Sequence, residues 1–205
     1  TGYTNRKGVN PDKALCDNWG GYNGCIVYRS AEAYLNYIEA YYERHNTLDA
    51  KATAYWKAIR KRAGVDEDIQ KTIDATDMQK EAAANWSAYS AGKLVDKTLY
   101  NIRRERACEF MAEGYRTDDL RRWRSLDQLM TTPYFIEGFK IWGDYYPEKY
   151  AEAAKEDKTY ELIYGVDNSN ANVSDPALSK YVRPYQIART LAYDGYTWKM
   201  AHYLS

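Results

Sequence analysis

Between Glu105 and Ser125 the sequence ERACEFMAEGYRTDDLRRWRS packs ten formal charges into a pattern that otherwise spells helix. Three of its carboxylates, Glu105, Glu109 and Glu113, stand four residues apart. Like charges at that spacing on one helix face cost roughly 0.2–0.5 kcal/mol per pair. Such a stretch folds only where cations meet the carboxylates. Paired carboxylates can cleave glycosidic bonds at separations of about 5–10 Å, but a general acid needs a raised pKa, and crowded arginines depress it. No catalytic role is expected. Glutamates on one helix are expected to face arginines on its hairpin partner in charge-assisted, bidentate pairs. The expected structural ion network comprises Glu105, Arg106, Glu109, Glu113, Arg116, Asp119 and Arg122.

Apolar spacing supplies the frame around this stretch. Val27, Ala31, Tyr34, Leu35, Ile38 and Tyr42 recur at three- and four-residue steps, with Glu32, Asn36, Glu39 and Glu43 on the opposite stripe. His45-Asn46-Thr47 interrupts the pattern. Asp49 then suits the N-cap of a second helix, whose apolar side is Ala52, Tyr55, Trp56, Ile59 and Ala63 and which Gly64 stops. Together they predict an antiparallel helical hairpin over about 27–64. Residues 66–96 are polar, with one short helix predicted over 78–84. A third helix is predicted from about 97 to 113, with Leu99, Ile102, Phe110 and Met111 inward and Gly114 at its end. Thr117 or Asp118 is the expected cap of a fourth, with Leu120, Trp123 and Leu126 or Leu129 inward. That makes a second hairpin over about 97–130. Small residues between bulky ones in such pairs resemble the tetratricopeptide repeat. Residues 131–205 are predicted to be a loop-rich, aromatic tail with a last helix over 184–192. The fold class expected is all-α: tetratricopeptide-like helical hairpins with long irregular loops.

The charge balance, 29 Lys+Arg against 29 Asp+Glu, gives no reason to expect a nucleic-acid partner. No apolar run approaches the roughly 20 residues that span a bilayer. The chain holds 22 Tyr and 6 Trp but only 3 Phe, and rings with a polar tip suit half-wet surfaces. They serve either a binding groove or helix packing with hydroxyls at the solvent. Two aromatic loops carry the binding reading: NWGGYNG, with Trp19 and Tyr22, and IWGDYYPEKY, with Trp142, Tyr145 and Tyr146. A sugar ring offers an apolar face and polar edges, which these residue types match; the alternative is that they pin loops to the core. Cys16, Cys25 and Cys108, with His45 and His202, show no metal-ligand spacing, and Cys16 and Cys25 either pair or stay free. The alternation beginning at Asp167 and Ser169 fails as a calcium loop, because Ala171, Asn172 and Leu178 occupy positions that need an oxygen ligand, a glycine and a bidentate glutamate. No phosphate loop or nucleophile–base pair is present. No metal and no cofactor is expected.

Glu105-Arg106, Glu109, Glu113-Gly114 with Arg116, and Asp119-Leu120 with Arg122-Trp123 together resemble the signature of the SusD/RagB family, approximately E-R-x-x-E-x-x-x-E-G-x-R-x-x-D-L-x-R-W. A second similar block runs from Tyr28 to Ala40 (YRSAEAYLNYIEA), followed by Arg60 and Arg62-Ala63-Gly64; Thr1-Gly2-Tyr3 with Lys7 fits as well. These blocks cover most of residues 1–125, and beyond them the likeness rests on the aromatic tail. The resemblance implies a surface-exposed outer-membrane lipoprotein of Bacteroidetes. Such a protein is no enzyme: it binds polysaccharide or oligosaccharide, in some cases peptide, and hands it to a partner TonB-dependent, SusC-like transporter. Membrane association would run only through an N-terminal lipid anchor not present in this chain. Residues 1–205 are accordingly expected to be the C-terminal portion of a longer SusD/RagB-like domain. The alternative is a helical-repeat scaffold that binds a peptide or protein.

Overall fold

A computed structural model describes residues 7, 10, 12, 27–138, 140–142, 145–158, 161–164, 173, 175–183 and 194–199, without the side chains of 84, 145–147 and 150. The chain divides into two compact units, one of Asn5–Gln128 and one of Thr1–Thr4 with Leu129–Ser205. Each is described by itself.

In the Asn5–Gln128 unit, helix α1 spans Ser30–His45 and buries Ala31, Leu35, Ile38 and Tyr42. It begins three residues later than the apolar spacing suggests. Arg29 is still extended, and Val27 stays two-thirds exposed. Asn46 ends the helix in the left-handed region (φ 53°), returning its N–H to the Tyr42 carbonyl. Helix α2, Ala50–Ala63, starts where its cap demands: Asp49 accepts the Ala52 N–H at 2.6 Å. It stops at Gly64, whose φ of 71° favours a residue without Cβ. Ala52, Trp56 and Ile59 bury against α1; Ala63, expected inward, is exposed. Truncating Trp56 alone would cost roughly 3–5 kcal/mol.

The polar segment between the two predicted hairpins is more ordered than its composition suggests. Helix α3, Ile69–Ala75, is capped by Asp68 and buries Ile69 and Ile73. It escapes periodicity because one i, i+4 pair is its whole apolar face. Helix α4, Met78–Ala84, stands where expected, capped by Asp77. Strands β1, Tyr89–Ser90, and β2, Lys93–Leu94, form a small antiparallel hairpin. Ala91 and Gly92 turn it with positive φ, as a tight hairpin of this hand requires.

Helix α5 covers Lys97–Glu109 and packs on α1 and α3. It ends four residues before the predicted boundary, because Ala112 (φ 64°) and Gly114 (φ 88°) leave helical geometry. Met111, expected inward, is therefore two-thirds exposed, whereas Phe110 is buried. Helix α6, Arg116–Arg122, has Tyr115 at its N-cap with no side-chain cap bond, not Thr117 or Asp118. Asp118 and Asp119 lie in its first turn, where the helix dipole favours acids. A 3-10 turn, Ser125–Met130, follows. Leu120, Trp123, Leu126 and Leu129 are all buried.

The tyrosines of α1 and α2 pack ring on ring at partly exposed positions. Tyr34 stacks on Tyr55 with centroids 4.1 Å apart, Tyr37 meets Tyr55 edge-on, and Lys51 lies over both Tyr37 and Tyr55. The Tyr37 hydroxyl donates to Asp49 at 2.8 Å.

In the second unit, residues 134–138 and 140–142 have main-chain partners on two sides. Tyr134 and Tyr196 exchange backbone hydrogen bonds at 2.8 and 2.7 Å, and Lys140 bridges Tyr181. Gly195 packs so closely that a Cβ there would sit 2.9 Å from the Pro133 Cβ. Helix α7, Tyr145–Glu156, corrects the loop reading of this tail. Pro147 falls in its first turn, where the missing N–H costs nothing, and AEAAKE after it has high helix propensity. The helix expected over 184–192 lies outside the described residues. Among those residues, no helix is long and apolar enough to cross a membrane.

Candidate functional site

The polar stripe of α1 bonds into residues 103–123, with Glu39 buried, Glu32 part-buried, and Asn36 and Glu43 still exposed. Glu32 accepts from the Tyr115 hydroxyl at 3.0 Å, and Asn36 accepts from Arg106 at 2.8 Å. Glu39, only 4% exposed, accepts both terminal nitrogens of Arg122 at 2.7 Å and the Trp123 indole N–H at 2.5 Å. Glu43 accepts from Arg103 at 3.5 Å. Arg106 also grips Asp119, at 2.9 and 2.8 Å, with both residues buried.

The three glutamates that posed the problem find cations elsewhere than expected. Glu105 accepts the Trp56 indole N–H at 2.9 Å and lies 3.7 Å from Arg60. Glu109 is held by Arg29 at 2.5 Å and by Arg62, and Glu113 by Arg29 at 2.8 Å and by Lys7. Their cations come from α2 and from the chain before α1, not from the hairpin partner. The reason is rotational: Glu105 and Glu109 share a face of α5 turned toward α2, while Arg106 lies between them in sequence and points toward α6. Arg116 donates to the Ser87 hydroxyl at 2.6 Å and the Asn85 side-chain oxygen at 2.9 Å. Burial alone would push the Glu109 carboxyl up, but the Arg62 and Arg29 bonds overcome it and hold it below its usual value. Such a carboxylate cannot serve as a general acid at neutral pH.

A concave surface of a different kind lies in the second unit. A groove of about 350 Å³ is lined by Trp142, Ala151, Ala154, Lys155, Lys158, Glu161, Leu162 and Tyr164. The half-buried Trp142 ring meets the exposed Tyr164 ring edge-on, 5.4 Å between centroids at 79°. Ala151, Ala154, Lys155 and Lys158 repeat at three and four residues, so one face of α7 and its C-terminal end makes the opposite wall. The result is an apolar floor, two aromatic rings and a rim of ammonium and carboxylate groups.

Against this geometry the comparisons with known proteins are clear on one point. The family model described as SusD family matches residues 1–200. The chain belongs to the SusD family. The match runs through the aromatic tail, well beyond the blocks that carry the signature. No curated protein and no solved structure matches the chain. The helical content of the described residues agrees with an all-α SusD fold, and the SusD family is one associated with nutrient binding for uptake.

Of the candidate ligand residues in this SusD chain, Trp142 lines the groove. Tyr145 and Tyr146 belong to α7 rather than to a loop. Trp19 and Tyr22 lie outside the described residues, as do Cys16, Cys25 and His202. Sequence reasoning missed Tyr164, Lys155 and Lys158. Lys155 had a signal in its spacing from Ala151, but it registers only once 145–156 is known to be helical. Among the described residues, no group of three or more His, Cys, Asp or Glu is placed to hold a metal ion.

Proposed function

We propose that this SusD-family chain is a non-catalytic glycan-binding component of an outer-membrane nutrient-uptake system, and that its Trp142 groove contacts the polysaccharide or oligosaccharide. The observation that carries the reading is the pairing of Trp142 with Tyr164 on the wall of a groove rimmed by polar side chains. A pyranose needs a flat ring against its C–H face and hydrogen-bonding groups around its edge. The ring pair supplies the first, and Lys155, Lys158 and Glu161 supply the second. Stacking on tryptophan also places a cost on losing the ring: truncation of a packed aromatic anchor typically removes 2 kcal/mol or more of binding, on the order of thirtyfold in Kd.

The captured ligand is proposed to pass to a TonB-dependent, SusC-like transporter at the cell surface. In this reading α1–α2 and α5–α6 act as tetratricopeptide-like hairpins that serve as scaffold. Trp19 and Tyr22 are proposed as further ligand contacts. The second reading, a peptide or protein ligand, draws on the same groove, since tyrosine and tryptophan rings also anchor peptides.

The test is native affinity electrophoresis of the chain through gels containing host and dietary polysaccharides. Retardation by at least one glycan is expected, and Trp142→Ala should lose it while keeping its thermal midpoint. Retardation that survives Trp142→Ala would place the contact elsewhere. Mobility unchanged on every glycan would favour the peptide reading.

A further inference from the structure

Charge sets the Trp142 groove apart from a site built for an ordinary neutral sugar. Its lining holds two ammonium groups, Lys155 and Lys158, against one carboxylate, Glu161. Both lysines are exposed. Among the described residues neither ammonium has a hydrogen-bond or ion-pair partner, whereas Glu161 is already engaged. The neighbouring acids do not answer them: Glu148, Glu152, Glu156 and Asp157 are absent from the lining, and Glu152 pairs with Lys149 at 3.6 Å. Lys155 stands in the last turn of α7, where the helix dipole favours a cation. The fold therefore carries this positive rim without a carboxylate to neutralise it.

A neutral pyranose has no need of two unmatched cations, since amides and hydroxyls serve its edge equally well. A negatively charged sugar does need them. With its C–H face on the Trp142 ring, a pyranose turns its exocyclic groups outward, toward the rim where the lysines stand. The type of cation then narrows the ligand. Lysine is a point charge on a flexible stem, without the planar fork by which arginine fits a single oxyanion shape. The pair therefore reads negative charge rather than its geometry, and a uronate carboxylate or a sulfate ester meets that demand. Solvent sets the strength: one exposed ion pair is worth up to about fivefold in affinity, so two give about tenfold. We infer that the groove takes an acidic glycan, with a carboxylate or sulfate on the sugar that stacks on Trp142, and that Lys155 and Lys158 select it. The inference rests on the reading of this groove as the glycan contact.

Calorimetric titration of the chain with two matched pairs of oligosaccharides tests the selection. Oligogalacturonate and its methyl ester differ in charge but keep the ring; sulfated and unsulfated galactan oligomers do the same for sulfate. The acidic member of at least one pair should bind about tenfold tighter than its neutral match, and which pair shows the preference tells carboxylate from sulfate. In 1 M salt, where the Debye length is about 3 Å, the preference should shrink to about twofold or less. Lys155→Gln with Lys158→Gln should bring the acidic member to the affinity of the neutral one, with an unchanged thermal midpoint, since both positions are exposed. Trp142→Ala should weaken both members. Equal binding within each pair, weakened by Trp142→Ala, would overturn the acidic class and leave the groove as a neutral-glycan site. A preference that survives the lysine double variant, or a polyglutamate peptide bound as tightly as the acidic sugar, would overturn it as well. If none of the four oligosaccharides binds but a neutral glycan retards the chain in the gel, the acidic class alone falls; if nothing retards it, both readings fall.

Discussion

At the scale of single residues, the buried pair of Arg106 and Asp119 is the sharpest test of the ladder of polar contacts that joins α1, α5 and α6. Arg106→Ala leaves Asp119 buried with Arg122 as its remaining cation, so the loss should sit at the lower end of the range for a broken buried pair, about 3 kcal/mol. A fall in melting temperature on the order of 10 °C is expected. The double variant Arg106→Met, Asp119→Leu removes both charges and should recover much of that loss in the same melt. A single variant with an unchanged midpoint would show the ladder to be energetically idle. Short-range chemistry of this kind was only partly legible beforehand. Asp49 as a cap and Gly64 as a stop needed no more than their immediate neighbours. Glu39 looked like a solvent-facing residue because its partners, Arg122 and Trp123, lie more than eighty positions away.

Elements carry a second lesson, about where helices end and what joins them. The α1–α2 joint rests on Asp49, which both caps α2 and accepts the Tyr37 hydroxyl. That hydrogen bond, with lesser help from desolvation and the Asp49 charge, pushes the Tyr37 pKa up to about 12. The group is neutral below its ordinary pKa near 10, so its contribution is fully present there and is lost as pH rises from about 10 to 12. Asp49→Asn keeps a competent cap but removes the charge. Spectrophotometric titration should then show one tyrosine returning toward 10, with helix content at neutral pH unchanged. If no tyrosine moves, the Tyr37–Asp49 bond is not formed in solution. The boundaries themselves were harder to foresee. Periodicity carried α5 on to Glu113, whereas positive backbone angles at Ala112 and Gly114 end it at Glu109. Helix α7 was read as part of a loop-rich, aromatic tail, and its Pro147 is harmless in a first turn.

For the whole molecule, pH offers a test of the cations gathered around α5. The Glu109 carboxyl is held below its usual value in the folded state. A depressed carboxylate contributes stability above its unfolded pKa, near 4.3, and that contribution is lost as pH falls through the lower folded value. Urea midpoints measured from neutral pH down to about 3 should therefore fall in acid, and Glu109→Gln should flatten that fall while starting from a lower midpoint. An unaltered acid limb in the variant would assign the loss to other carboxylates. The general class, helical and rich in half-wet tyrosine, was visible in spacing and composition. The groove was not, because Trp142 and Tyr164 meet only in the folded chain, where main-chain pairing of Ile141 and Trp142 with Lys180 fixes the segment that carries Trp142.

That pairing has a practical consequence for the Leu129–Ser205 unit. The segment 133–142 is laced to 180–182 through Gly138, Lys140 and Ile141, and to Tyr196 through Tyr134. Glu137 adds side-chain bonds to Ser179 and Arg183. A single proteolytic nick after Lys158 would thus sever the covalent chain but not the tail. Both pieces should migrate together on a native gel and part only in denaturant, so an intact native band is no proof of an intact polypeptide.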